Sequence, residues 1–194
     1  LIDGDDIMAI AGLDLLAQGK LVKKTLVTTV MSNAGLEAAI AAAGGHVVRT
    51  GVGDRKVIDE MLRHGFNFGG EQSGHLIFRD HSTTGDGLVA ALQILRIMRA
   101  RELPLSTLAQ CWTRFPQMVT NIVVHEKRPF EELEEVGQLV ADAEAELKAQ
   151  GGRVFLRYSG TEPKARLLIE GRDRTTLEKW TQKISEAIQK QVGG

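Results

Sequence analysis

TLVTTVMSNAGLEAAIAAAGGHVVRT, residues 25–50, decides the fold class. Thr25 to Val30 is β-branched and apolar without alternation, the pattern of a strand buried on both faces. Ser32-Asn33 then offers side-chain oxygens that can cap a helix, an alanine-rich run follows, and Gly44-Gly45 ends it. His46 to Thr50 is a second short strand. Strand, helix and strand in that order imply an α/β layer fold with a largely parallel sheet.

The same alternation extends outward. Upstream, Asp5-Asp6 precede an apolar stretch from Ile7 to Leu16 that stops at Gly19, with acids at the helix start and glycine at its end. Downstream, Gly51-Val52-Gly53-Asp54 is a turn, and Asp54 caps a helix running to about His64. Phe66 to Gly70 is a third strand, and Leu76-Ile77-Phe78 a fourth that pairs with the segment before it. Asp86 to Glu102 carries Leu88, Leu92, Leu95 and Ile97-Met98 at roughly helical spacing. Cys111, beside Trp112 in a helical apolar stretch, reads as core.

The pattern changes after Pro116. Val119 to His125 is a strand, Glu131 to Gln150 a long helix with an acid-rich start, Arg153 to Tyr158 and Ala165 to Glu170 two strands around a loop, and Thr175 to Gln191 an amphipathic helix. The expected architecture is therefore a three-layer α/β domain with a mixed, largely parallel sheet over residues 1–116, then a smaller β-α-β-β-α domain with an antiparallel sheet over residues 117–194.

The bulk numbers exclude several classes. A net charge of -1 argues against a nucleic-acid binder. The single cysteine rules out an intrachain disulfide and fits a reducing cytoplasm. No apolar run reaches the ~18 residues of a membrane-spanning helix. With neither a methionine nor a leader at Leu1, the chain reads as a fragment of something longer.

Three loops could carry chemistry. In Arg157-Tyr158-Ser159-Gly160-Thr161-Glu162-Pro163, followed by Arg166, two forked cations bracket a turn with two hydroxyls, and Gly160 would let backbone N–H groups form an anion-binding concavity. Such donors suit a phosphate dianion, although the stretch alone also reads as a solvated hairpin turn. In Gly69-Gly70-Glu71-Gln72-Ser73-Gly74-His75, a carboxylate, an amide, a hydroxyl and an imidazole follow a strand, where α/β sheets place ligands. Glu71 can accept from two adjacent sugar hydroxyls, and Ser73 can donate or accept. Thr50-Gly51-Val52-Gly53-Asp54-Arg55 sets an arginine on a first helical turn, an anion site or simply a capped turn. Asp3-Gly4-Asp5-Asp6 invites a magnesium reading, but Asp5 and Asp6 are accounted for as helix-start residues, and no histidine pair has zinc spacing.

Taken together, the loops resemble those of the phosphohexomutase family, a four-domain family whose third and fourth domains this chain resembles over essentially its whole length. The third domain's sugar loop, Gly-Glu-x-Ser-Gly-His, is matched by residues 70–75, and the fourth domain's phosphate loop, Arg-x-Ser-Gly-Thr-Glu-Pro, by residues 157–163 with Arg166 after it. Thr83-Thr84-Gly85-Asp86-Gly87 also resembles the family, and Gln72 with Gly160-Thr161-Glu162 is most similar to its phosphoglucosamine mutase branch. Lys164-Ala165 is polar and small where the pattern is apolar.

The resemblance implies that the whole protein interconverts glucosamine 6-phosphate and glucosamine 1-phosphate in the cytoplasm, through a phosphoserine and glucosamine 1,6-bisphosphate. Mg2+ would be held by an Asp-Gly-Asp-x-Asp-Arg loop outside this chain, as would the serine. It further implies that Arg157, Ser159, Gly160, Thr161 and Arg166 anchor one phosphate and that Glu71, Gln72, Ser73 and His75 hold the sugar. His75 and Arg55 would be acid/base or electrostatic helpers, and a hinge near Pro116 would let the last domain close. No residue here is then a certain catalyst or a metal ligand, and the partners are a phosphosugar and the missing domains, not nucleic acid or membrane. The alternatives are another phosphohexomutase, acting on glucose or mannose phosphates, and a non-catalytic phosphosugar-binding module. An RNA-binding α+β domain is a further one, poorly served by the two strand aromatics Phe155 and Tyr158.

Overall fold

The Asp3 side chain accepts from the amides of Asp5 and Asp6 and the Asp6 carboxylate accepts from the Asp3 amide at 2.9 Å, a reciprocal cap that starts α1 (Gly4–Ala17). In this computed structural model, which describes residues 1–193, α1 belongs to a first unit, Leu1–Arg114; a second runs from Phe115 on.

In the first unit β1 (Thr25–Thr29) is buried along its length, because strands flank it on both sides. It pairs in parallel with β2 (His46–Thr50) from Thr25↔His46 to Thr29↔Thr50, and in parallel with β3 (Phe68–Gly70). β4 (Leu76–Phe78) closes the sheet antiparallel to β3, giving the order β2-β1-β3-β4. Leu26 and Phe68 enter one core with Met8 of α1, Leu36 and Ile40 of α2 (Ala34–Ala42), and Ile94 and Ile97 of α4 (Gly87–Arg101). Val27 and Ile77 enter another with Val57 and Met61 of α3 (Asp54–His64). Helices on both sheet faces make three layers, and each fully buried large side chain, such as Phe68 or Met8, contributes roughly 1.5–3 kcal/mol.

The second unit is a three-stranded antiparallel sheet, β5 (Gln117–Val123), β6 (Arg153–Tyr158) and β7 (Lys164–Glu170), in the order β5-β7-β6. Ile122, Val154, Ala165, Leu167 and Ile169 pack with Val136, Ala143 and Leu147 of α6 (Glu134–Lys148) and with Leu177, Ile184 and Ile188 of α7 (Arg174–Val192). The register places Arg153, Phe155 and Arg157 of β6 beside Glu170, Leu168 and Arg166 of β7, on the sheet face turned away from those helices. Among the described residues no helix is long and apolar enough to cross a membrane.

Several details depart from the sequence reading. On α4 the buried face is Ala90, Ile94 and Ile97, while Leu88, Leu92 and Leu95 point outward, at 73%, 55% and 57% exposure. Both stripes fit helical spacing, and the sheet decides which one is covered. Asp54 is the first helical residue rather than the cap, which is Gly53. α6 starts at Glu134, not Glu131, because residues 130–132 form a 3₁₀ turn after Pro129 and Leu133 is non-helical and buried. Cys111 is exposed, in a 3₁₀ turn after the short α5 (Leu105–Leu108), instead of in a core.

Candidate functional site

The loop from Gly70 to Leu76 leaves the carboxyl end of β3, beside the carboxyl end of β1. It is closed on itself: the Glu71 amide donates to the His75 carbonyl and the Gly74 amide to the Glu71 carbonyl, both at 2.9 Å. Gly74 sits at φ 100, where a side chain would be strained. From below, the Gly4 amide at the start of α1 donates to the Gln72 carbonyl at 3.1 Å. The approach is so close that a Cβ on Gly4 would lie 2.2 Å from the Glu71 oxygen. Thus the DGDD segment is a helix start pressed under this loop.

Glu71 Oε1 accepts from the Gly53 amide at 2.9 Å, which ties the sugar-type loop to the glycine-rich turn before α3. The carboxylate lies at the helix's amino end, where its dipole favours negative charge. Thr29, Met31, Val52, Glu71, Gln72 and Ser73 line a small cavity of about 110 Å³ there. Glu71, Gln72 and Ser73 are thereby brought together, whereas His75 and Arg55 are exposed and outside that lining. His75 Nδ1 lies 3.5 Å from Ser73 Oγ. Thr29 and Met31 join the site only through the sheet's topology, and no motif marked them, whereas Val52 belongs to the glycine-rich turn already singled out in the sequence.

The carboxylates near the chain start do not fit a divalent metal. Arg114 Nη2 lies 2.8 Å from Asp3 and 3.5 Å from Asp6, Trp112 Nε1 donates to Asp6 at 2.9 Å, and Asp5 accepts from the Asn33 amide at 3.0 Å. A guanidinium already occupies the middle of the cluster. Burial pushes the Asp3 carboxyl up, but Arg114 and the two amides outweigh it and hold the group below 3.8. Burial pushes Asp5 above that value.

In the second unit Arg157 and Arg166 are direct cross-strand partners, so both side chains leave the same face of the sheet. Arg166 Nη2 pairs with Glu162 Oε2 at 2.9 Å, and Lys164 Nζ holds the other oxygen of that carboxylate at 2.7 Å. Those two bonds keep the Glu162 carboxyl below its ordinary value. Arg166 Nε is buried without a partner, and Arg157 forms no ion pair among the described residues. Between them, Gly160 and Thr161 are exposed, and their amides have no acceptor among the described residues. Two expectations change here. Ser159 is only 3% exposed, with Oγ accepting from the Glu162 amide at 3.3 Å, so its hydroxyl braces the loop from inside. Gly160 is not left-handed, and a Cβ there would meet open space, so its amide is presented without the conformation that requires glycine. Lys127, which the sequence reading missed, donates from Nζ to the Ser159 carbonyl at 2.6 Å. This strand-anchored pair of guanidiniums flanking two unpaired amides can bind a small dianion.

Comparisons with known proteins agree with this layout. Residues 3–115 match the family model described as phosphoglucomutase/phosphomannomutase, alpha/beta/alpha domain III, and residues 119–187 match the model for the C-terminal domain of that family. A phosphoglucosamine mutase of Anaeromyxobacter sp. is 51% identical over 100% of this chain, and one of Geotalea uraniireducens is 49% identical over 100%. The chain spans only 41% and 42% of those two proteins. Among solved structures, the Aspergillus fumigatus N-acetylphosphoglucosamine mutase in complex with GlcNAc-6P and magnesium superimposes with a TM-score of 0.74 at 18% identity, over 97% of this chain and 44% of that one.

Proposed function

The chain belongs to the phosphoglucomutase/phosphomannomutase family, and on that premise we propose that it is the sugar- and phosphate-binding C-terminal part of a phosphoglucosamine mutase. The reaction of the full-length protein is then the interconversion of glucosamine 6-phosphate and glucosamine 1-phosphate, through a serine-bound phosphoryl group and a 1,6-bisphosphate. On this reading the serine and the ligands of a magnesium ion lie in the rest of the full-length protein; the Aspergillus relative was solved in complex with GlcNAc-6P and magnesium. Asp3, Asp5 and Asp6 are committed to Arg114 and to the start of α1, so no metal role falls to them.

The reading divides the work between the two units. Arg157, Arg166 and the Gly160 and Thr161 amides anchor the phosphate that is not reacting, with Ser159 bracing the turn that presents them. Glu71, Gln72 and Ser73 hold sugar hydroxyls, and they must do so for a ring bound in either of two opposite orientations. Glu71 suits that task, since a carboxylate accepts from any adjacent hydroxyl pair. His75 and Arg55 are assigned as helpers at the reacting end. Anchoring the remote phosphate lets its binding energy go into orientation, and good positioning lowers barriers by roughly 7–11 kcal/mol.

The observation that carries the proposal is the cross-strand pairing of Arg157 with Arg166 around two unpaired amides. The test is kinetic: the full-length protein should show a higher kcat/KM for glucosamine 6-phosphate than for glucose 6-phosphate or mannose 6-phosphate, and residues 1–194 alone should show no turnover. Preference for a neutral hexose would move the protein to another branch of the family, and turnover by the isolated chain would overturn the division of the site.

A further inference from the structure

Lys127 lies outside every loop motif, on the segment that joins β5 to α6. We propose that it is a positioning residue of the phosphate loop, holding the Ser159 carbonyl so that the Gly160 amide is aimed at the bound phosphate. The inference rests on the phosphate-loop reading above and adds a residue and a mechanism to it.

The Ser159 carbonyl and the Gly160 amide share one peptide plane. In a trans peptide the C=O and the following N–H point in opposite directions, and the described chain contains no cis bond. Lys127 Nζ lies 2.6 Å from the Ser159 oxygen. Fixing that carbonyl on one side fixes the Gly160 N–H on the other, where it finds no acceptor among the described residues. A cation on the carbonyl oxygen also draws electron density along the amide and makes the N–H a stronger donor, as hydrogen-bonded groups in series polarise one another.

Two further contacts keep Lys127 in place. Phe130 stacks on Tyr158, the residue leading into the loop, with ring centroids 4.2 Å apart and planes at 11°. At the loop's exit the Val124 amide donates to the Pro163 carbonyl at 3.0 Å. The segment carrying Lys127 is therefore tied to both ends of the loop. Lys127 is exposed and forms no ion pair among the described residues, so its charge is not cancelled by a carboxylate and the core does not depend on its stem.

The test uses the isotope-labelled chain and inorganic phosphate as the probe, followed by amide NMR, with glucosamine 6-phosphate kinetics in the full-length protein. Lys127→Met should weaken phosphate binding about tenfold, the worth of one hydrogen bond to a charged group. It should also move the Gly160 amide proton upfield before any phosphate is added and raise KM more than it lowers kcat, while Tm stays put. Lys127→Arg should recover most of the affinity. An unmoved Gly160 amide with unchanged affinity in Lys127→Met overturns the proposal, as does a Lys127→Arg variant with unchanged Tm that recovers none of the affinity. If the original chain's Gly160 and Arg166 signals ignore phosphate altogether, the phosphate-loop reading itself falls, a result distinguishable from failure of the Lys127 step alone.

Discussion

Replacing Arg166 by alanine in the full-length protein is the sharpest test of the phosphate cradle. The unbound guanidinium uses Nη2 on Glu162 at 2.9 Å and leaves Nε buried without a partner. A phosphate arriving between Arg157 and Arg166 can take that Nε–H and an Nη–H together, the forked geometry that arginine offers and lysine does not. Hydrogen bonds to charged groups net roughly 1.5–3 kcal/mol each. The Arg166 side chain is 40% exposed, so water screens the interaction and the lower end applies. The Glu162 contact must also be surrendered. The net loss is then about 1.4–2.7 kcal/mol, a ten- to hundredfold drop in kcat/KM. Steady-state kinetics with glucosamine 6-phosphate measure it, alongside thermal unfolding. Tm should change little, because Arg166 lies on the sheet face away from the helices and Glu162 keeps Lys164 as partner at 2.7 Å. A kcat/KM within a factor of about two of the original, which is under half a kcal/mol, would refute the reasoning. So would a loss fully explained by unfolding.

Two further outcomes follow from the first unit. Glu71→Gln keeps an oxygen for the Gly53 amide but removes the charge; KM for the phosphosugar should rise about tenfold with Tm nearly constant, and an unchanged KM would detach Glu71 from the sugar. Arg114→Gln should flatten the acid side of the stability curve. With Arg114 present, Asp3 stays ionised below 3.8 and contributes stability above that pH that is lost as pH falls through its lowered value; without it that contribution shrinks, so urea unfolding between about pH 5 and pH 3 should depend less on pH, and an equally steep curve would show that Arg114 does not hold Asp3 down.

The sequence by itself determined the order of elements, because the relevant signals are local. Asn33, Asp86 and Asp173 each cap a helix through a side chain bonded to nearby amides, and Gly44 and Gly65 end helices at positive φ. Period and chain order then dictated the mixed sheet and the β-α-β-β-α unit. The two candidate loops were legible for the same reason, since all their polar groups lie within a few residues of one another. Tertiary structure alone decided what requires partners distant in sequence. α4 offers two apolar stripes of helical spacing, and only packing on the sheet selects Ala90, Ile94 and Ile97 over the leucines. Whether Ser159 faces out or in, which backbone amide meets Glu71, and that Lys127 reaches a carbonyl 32 residues away all depend on how strands are brought into register. Periodicity fixes which side chains share a face, and long-range pairing fixes what that face meets.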